Sequence, residues 1–226
     1  MRCTIIYEDN SIIVVHKPAG LAVETARITE ADAVTELRNY LKGNNRETYI
    51  SPINRLDQPV EGLVLFALNE ASARELSRQM TQGTITKIYK AIVFGAAPAS
   101  GDLTDHLLRN RDNSTAVVSA GTREAKRAHL SYEKTAERAV TLADGEQCIL
   151  STLRVNLDTG RHHQIRVQLA HAGYPIVGDL KYGSEESVRI SKQICGTVQL
   201  AAVELSFVHP KTKKPLHFSI EALCEG

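Results

Sequence analysis

The sequence predicts an α+β fold in which helices flank a mixed, mainly antiparallel sheet. Strand-like segments outnumber helical ones, and most of them follow one another through short turns. The regular alternation of strand and helix that is typical of a parallel, doubly wound sheet is missing. With 42% hydrophobic and 23% charged residues, the chain of 226 residues has the composition of a globular protein with its own core. We therefore expect a single domain over residues 1–226.

The chain opens with a predicted hairpin of two strands, at 4–8 and 11–15, around turn residues at 9–10. A helix is expected next, because Thr29 and Asp32 have the spacing of a capping box. The residues of its apolar stripe are three or four positions apart: Val34, Leu37 and Leu41. This stripe predicts that one face of the helix packs on the sheet.

A buried strand and a second helix are predicted in the next part of the chain. Residues 62–68 form an unbroken apolar run, which is typical of a strand covered on both faces. Asn69 is a preferred N-cap residue, and Gly83 marks the expected end of the helix that it begins. The apolar positions of this helix are Ala73, Leu76 and Met80.

The remaining elements are mostly strands. We predict them at 85–94, 128–135, 147–156, 198–207 and 216–222. One short helix is expected over 164–172, where Gly173 follows the last turn. Its apolar face is formed by Ile165, Leu169 and Ala172. Strands that follow one another directly favour antiparallel pairing, since parallel neighbours need a long crossover.

The composition excludes several classes of protein. The formal net charge is +1, so a nucleic-acid partner would have to be held by locally placed cations. No segment approaches the run of about 20 apolar residues that a membrane span requires, and the first residues do not resemble a signal peptide. Four scattered cysteines without Cys-x-x-Cys spacing disfavour a zinc site and a disulfide framework. We expect a cytoplasmic protein with free thiols.

A charged loop at 53–62 leads straight into the buried strand. It carries Asp57 close to Arg55, and Pro59 prevents a regular helix here. A carboxylate on a loop that a rigid strand anchors is well placed to act on a ligand. The alternative is that Asp57 only satisfies loop amides in an Asx-turn.

Two further segments combine charge with aromatic or polar groups. Tyr89, on a predicted strand, has a ring that would stack on a base or pack in the core. The segment 158–167 brings two arginines to the start of a helix, which suits a phosphate but also an ordinary solvated helix start. A metal site is not expected: His162 and His163 would point about 100° apart on a helix, and neither has i,i+4 spacing with His171.

Five segments, taken in order, resemble the RluA family of RNA pseudouridine synthases over nearly the whole chain. They are IVVHKPAG at 13–20, NRLD at 54–57 with GL at 62–63, KIYKA at 87–91, GRHHQIR at 160–166 and GYPIVGD at 173–179. The resemblance implies the pseudouridine synthase catalytic-domain fold, without the N-terminal RNA-binding module that many members carry. The chain departs from the family pattern at Asn54, at Val60 and Glu61, and at Gln168.

The resemblance also implies a reaction. The enzyme would detach uracil from C1′ of its ribose, turn the base and rejoin it through C5, which requires no cofactor and no metal. Asp57 would be the nucleophile, or the base that opens a glycal route. Arg166 would keep Asp57 ionised, and Tyr89 would stack on the uracil and assist removal of the C5 proton.

The substrate implied by the resemblance is structured RNA, either ribosomal or transfer RNA, bound by a monomer. The expected substrate-binding residues are Arg55, Lys87, Arg161, His163 and Gln164. Lys17 is a further candidate for contact with the RNA backbone. The basic segment 211–214 is either another such contact or a solvated turn.

Two other functions are weighed against this one. A glycosidase would use Asp57 and Glu61 as paired carboxylates, but Pro59 breaks the helix that would place both on one face. A non-catalytic RNA-binding module on the same fold would not need Asp57, Tyr89 and Arg166 together, and the presence of all three favours catalysis.

Overall fold

The computed structural model describes residues 1–26, 30–143 and 145–222. They form two compact units: the first comprises Met1–Lys87 and Ala201–Ala222, and the second comprises Ile88–Leu200. The elements belong to the predicted α+β class, with helices beside mainly antiparallel strands. Within the described ranges, no helix combines the length and the apolar character that crossing a membrane would need.

The strands and helices have the following bounds. The strands are β1 (Thr4–Glu8), β2 (Ile12–Lys17), β3 (Ser51–Pro52), β4 (Glu61–Ala67), β5 (Thr86–Phe94), β6 (Ser100–Arg109), β7 (Thr115–Val118), β8 (Lys126–Thr141), β9 (Gln147–Leu157), β10 (Leu200–Val208) and β11 (Pro215–Ser219). The helices are α1 (Ala33–Gly43), α2 (Glu70–Thr81), α3 (Gln164–His171) and α4 (Glu185–Ile194).

The first unit is built on neighbouring strands in the order β1-β2-β4-β10, with β3 beside β4 and β11 beside β10. All these pairs are antiparallel except β10 with β4, which run parallel. The predicted opening hairpin is confirmed, because the Asp9 carboxylate accepts hydrogen bonds from the amides of Ser11 and Ile12 at its turn. The core residues of this unit include Ile12, Val14, Leu63, Leu65, Leu76 and Phe207.

The two helices of the first unit follow their predicted apolar patterns. Val34, Leu37 and Leu41 are buried in α1, and Leu76 is buried in α2. Asn69 caps α2 as predicted, since its side chain accepts a hydrogen bond from the amide of Ser72.

The predicted start of α1 needs a correction. Asp32 is the N-cap itself, because its carboxylate accepts from the amide of Thr35 at 2.7 Å. It is therefore not the acid three positions into the helix, as a capping box with Thr29 would require. Thr29 lies outside the described residues.

The second unit is built on antiparallel strands in the order β5-β9-β8-β6-β7. The strands β6 and β7 and the helix α4 were not predicted from the sequence. The short helix α3 was predicted, but it does not show a single apolar face. Its residues from Gln164 to Leu169 are all buried, and they include Arg166 and Gln168. A polar helix enclosed in this way points to side chains with specific partners.

Candidate active site

The loop that carries Asp57 is fixed where it leaves and where it re-enters regular structure. Asn54 is buried, its Nδ2 donates to the carbonyl oxygen of Leu63 at 3.1 Å, and its Oδ1 accepts from the amide of Leu65 at 2.8 Å. At the other end Gly62 has a φ of +129°, and a Cβ there would lie 2.5 Å from main-chain atoms of Ala202. Both ends are thus bound to the sheet.

Lys17 holds this loop from inside the first unit. The side chain is 0% exposed, and its Nζ donates to the carbonyl oxygens of Leu21 at 2.7 Å and Gln58 at 3.4 Å. Burial lowers the pKa of Lys17 to about 8, against an opposing effect of nearby acidic groups that include Asp57 and Glu61. The predicted contact of Lys17 with the RNA backbone is wrong, because a wholly buried side chain cannot reach a phosphate.

Asp57 is half-buried, whereas Arg55 is exposed on the same loop. The carbonyl oxygen of Asp57 accepts from the amide of Val60 at 3.0 Å, which closes a tight turn directly after the carboxylate. Glu61, where the chain departs from the family pattern, lies 3.6 Å from the imidazole of His16. The loop thus presents a carboxylate and an arginine on a short, stiff segment.

Arg166 in α3 is a buried arginine that is paired with a carboxylate of the second unit. It is 5% exposed, and its Nε and Nη2 donate to the two carboxylate oxygens of Asp179 at 2.7 and 2.8 Å. Asp179 also accepts from the amides of Lys181 and Tyr182. A paired geometry of this kind fixes the plane of the guanidinium as well as its position. The predicted pairing of Arg166 with Asp57 stays a prediction.

The start of α3 has an unusual backbone. His163, the N-cap residue, has φ 52° and ψ 23°, which is the left-handed region that non-glycine residues seldom occupy. The rings of His162 and His163 stack with their centroids 3.7 Å apart. The expectation that these side chains diverge by about 100° is therefore wrong, because His163 precedes the helix and does not follow its geometry.

The loop at 158–163, before α3, is held in place by hydrogen bonds of His129 and Gln164. His129 lies between two carboxylates, with Nε2 2.9 Å from Asp102 and Nδ1 2.5 Å from Asp158. The hydrogen bond with Asp102, supported by that with Asp158, raises the pKa of His129 against the opposing effect of burial. Gln164 donates to the carbonyl oxygen of His129 at 3.0 Å and accepts from the amide of Arg161 at 3.0 Å. This loop is thus tied to β8.

The other predicted site residues lie in β5 or just before α3. Tyr89 is 6% exposed in β5 and is paired across the sheet with Val155. Lys87 is half-buried, its Nζ lies 3.8 Å from the sulfur of Met80, and burial lowers its pKa. Arg161 is exposed, and its Nε donates to a main-chain carbonyl in β8.

The structure divides the predicted residues between its two units. Asp57, Arg55 and Lys87 belong to the first, and the residues Tyr89, Arg161, His163, Gln164 and Arg166 belong to the second. Sequence reasoning gave no role to Asp179 and Tyr182, although both turn out to contact Arg166. Asp179 was visible as the last residue of the GYPIVGD segment, but nothing in its spacing indicated its partner.

A family model described as RNA pseudouridylate synthase matches residues 11–171. The matched range includes Asp57, Tyr89 and Arg166. A tRNA pseudouridine synthase C from Haemophilus ducreyi is 31% identical over 223 residues, which cover 97% of this chain and 90% of that protein. A ribosomal large subunit pseudouridine synthase D from Neisseria meningitidis is 32% identical over 230 residues, which cover 96% of this chain and 58% of that protein.

A solved structure of human RNA pseudouridylate synthase domain containing 1 is also similar to the chain. The two share a TM-score of 0.77 and 22% sequence identity over 97% of this chain and 83% of the human one. A second human structure, RNA pseudouridylate synthase domain containing 4, gives a TM-score of 0.73 at 20% identity over 96% of this chain. These likenesses establish the fold.

Proposed function

The chain belongs to the RNA pseudouridylate synthase family, and from this premise we propose that Asp57 starts the isomerisation of uridine to pseudouridine in structured RNA. The observation that carries the assignment of Asp57 is its place in a loop fixed at both ends, by Asn54 and Gly62. A reacting group must be held close to its productive geometry, and a tethered loop provides this.

The reaction breaks the bond between N1 of uracil and C1′ of the ribose and forms a bond between C5 and C1′. The hydrogen on C5 leaves as a proton, and N1 gains one. The target uridine has to leave the RNA stack to be reached. Asp57 acts at the sugar, either by attack on C1′ or by removal of the 2′ proton to give a glycal. Both routes need Asp57 in its ionised form.

Two further side chains complete the proposed machinery. Arg166 supplies a permanent positive charge in a fixed plane, which favours the ionised form of a neighbouring carboxylate. Tyr89 offers a ring for the flipped uracil and a hydroxyl for proton removal at C5. Arg55, Lys87, Arg161, His163 and Gln164 are proposed to contact the RNA.

The proposed setting is a monomer that acts without cofactor or metal on RNA in the cytoplasm. Free thiols fit a reducing compartment, and Cys3, Cys148 and Cys195 are all unpaired by disulfides. The names of the relatives point to two substrate classes, tRNA and large-subunit ribosomal RNA. The experiment below therefore uses both tRNA and large-subunit ribosomal RNA as substrates.

The test measures tritium released to water from tRNA and large-subunit ribosomal RNA labelled at C5 of uracil. The wild-type protein should release tritium from one of the two RNAs, and Asp57→Asn should release none. Glu70→Gln, a carboxylate-to-amide change at an exposed position of α2, should behave as wild type. Equal RNA binding by wild type and Asp57→Asn, with no release by either, would instead identify a binding module.

A further inference from the structure

Tyr182 lies between Arg166 and the strained start of α3, and we propose that it is a positioning residue for Arg166. This inference rests on the proposed function, because it takes Arg166 as the group that acts beside Asp57. Tyr182 follows Asp179 closely in the chain, and its own amide donates to the Asp179 carboxylate at 3.3 Å. One short segment thus supplies two partners of the guanidinium.

The ring of Tyr182 bounds one face of the guanidinium. The Cζ atom of Arg166 lies 5.1 Å from the ring centroid, within the range of a cation–π contact. The edge of the guanidinium is occupied by Asp179 through two hydrogen bonds. Tyr182 also packs against a buried apolar cluster that includes Leu107 and Val167. Face and edge contacts together restrict rotation of Arg166.

The hydroxyl of Tyr182 connects two further groups. Its oxygen accepts a hydrogen bond from the amide of Thr115 at 3.0 Å. A phenol has a single hydrogen to donate, and the Nδ1 of His163 lies 2.5 Å away. The two groups are hydrogen-bonded, and the tautomer of His163 decides which of them donates.

His163 is the residue whose backbone needs such support. It is held in the left-handed region, at φ 52°, and its carbonyl oxygen accepts from the amide of Val167 in the first turn of α3. Arg166 lies in that same turn. The ring of His162 stacks on His163, and its Nδ1 lies 2.8 Å from Oγ1 of Thr115. Thr115 thus fixes both Tyr182 and His162, and the Tyr182 hydroxyl fixes the helix start.

The predicted effect is on turnover and not on RNA affinity. Tyr182→Phe keeps the ring but removes the hydroxyl, so kcat for tritium release should fall by about tenfold while KM for RNA stays within about twofold. His163→Gly should lower kcat by a similar factor and still fold, because glycine adopts the left-handed backbone without strain; its KM is not compared, since His163 is itself proposed to contact the RNA. This second variant keeps the test usable if Tyr182→Phe folds poorly.

A double-mutant cycle separates positioning from general damage. When glycine occupies position 163, the Tyr182 hydroxyl has lost its hydrogen-bond partner in the α3 start, so adding Tyr182→Phe should change kcat less than twofold further. Tyr40→Phe is the matched control: it removes a tyrosine hydroxyl that donates to Glu8 at 3.0 Å in the other unit, and kcat should be unchanged.

The two failures are distinguishable. An inactive wild-type protein would overturn the proposed function. An active wild type, an inactive Asp57→Asn and a Tyr182→Phe with normal kcat would overturn only the role of Tyr182. Independent losses that multiply in the double variant would also overturn it, since they would show that the hydroxyl and His163 do not act together.

Discussion

Lys17 stabilises the Asp57 loop although no ligand can reach it. Its ammonium donates to main-chain carbonyls, among them that of Gln58, the residue after Asp57. A charged group is costly to bury, and this cost lowers the pKa of Lys17 from an ordinary 10.5 to about 8. The residue is therefore protonated at neutral pH, but it loses its proton earlier than an exposed lysine does.

This shift predicts a pH dependence of stability. Between pH 8 and 10.5 the unfolded chain binds more protons at Lys17 than the folded chain, so the free energy of unfolding rises with pH in this window. The slope from this one group is at most about 1.4 kcal/mol per pH unit. Denaturant unfolding of wild type and Lys17→Met from pH 7 to 11 should show the difference between them growing in favour of wild type.

The control for this prediction is Lys42→Met, which removes an exposed lysine from the end of α1. The difference between wild type and this variant should stay flat over the same pH range. A flat difference for Lys17→Met as well would contradict the assignment of a lowered pKa to Lys17.

Among the elements, β4 has a close steric constraint where it pairs with β10. Gly62 lies opposite Ala202 in this parallel pair, and no side chain fits between them. Gly62→Ala should destabilise the protein by about 1–3 kcal/mol or more, through overpacking and a φ that alanine avoids. Thermal and denaturant unfolding of the purified variant measure this loss.

Gly43→Ala is the matched comparison within the same unit. Gly43 ends α1, and an added Cβ would meet no atom within 4 Å. This variant should be more stable than wild type by about 0.5–1 kcal/mol, because alanine is the better helix former. Equal effects of the two alanines would show that the approach of β10 to Gly62 is not what constrains β4.

The elements that the sequence revealed are those with a strong local pattern. The stripe of Val34, Leu37 and Leu41 identified α1, and the apolar run up to Leu68 identified β4. In contrast, α4 buries Ile190 with two serines, and β6 is rich in polar residues. Neither pattern could be distinguished from a solvated loop without its neighbours in space.

The candidate site was predictable to a similar degree. The resemblance indicated Asp57, Tyr89 and Arg166 because each lies in a family segment. The contacts of Arg166 with Asp179 and Tyr182 depend on the path of the chain between α3 and the later segment. Sequence spacing carries no information about such a path, so these partners became visible only in three dimensions.

At the scale of the whole molecule, a net charge of +1 provides no general attraction for RNA. Binding then depends on a few cations, so Kd for RNA should rise steeply with salt while kcat at saturating RNA stays constant. Arg55→Gln should reduce the slope of log Kd against log salt by about 0.7, the value for one phosphate on a single strand. Filter binding at several salt concentrations measures this slope.

Arg74→Gln provides the comparison, since Arg74 is an exposed arginine on α2 with no proposed role. Its removal should leave the salt slope as in wild type. An unchanged slope for Arg55→Gln would show that Arg55 does not neutralise a phosphate.

The attachment of the Asp57 loop at Asn54 and Gly62 has a consequence for engineering. The loop between Asn54 and Gly62 has a fixed length, because an inserted or deleted residue would displace Asn54 or Gly62 from its contacts with the sheet. Side chains at 55, 58 and 59 are open to exchange, whereas Leu56 and Val60 are buried and should be kept. A library that aims to redirect the enzyme to another RNA should vary residue identities in this loop and keep the loop length constant.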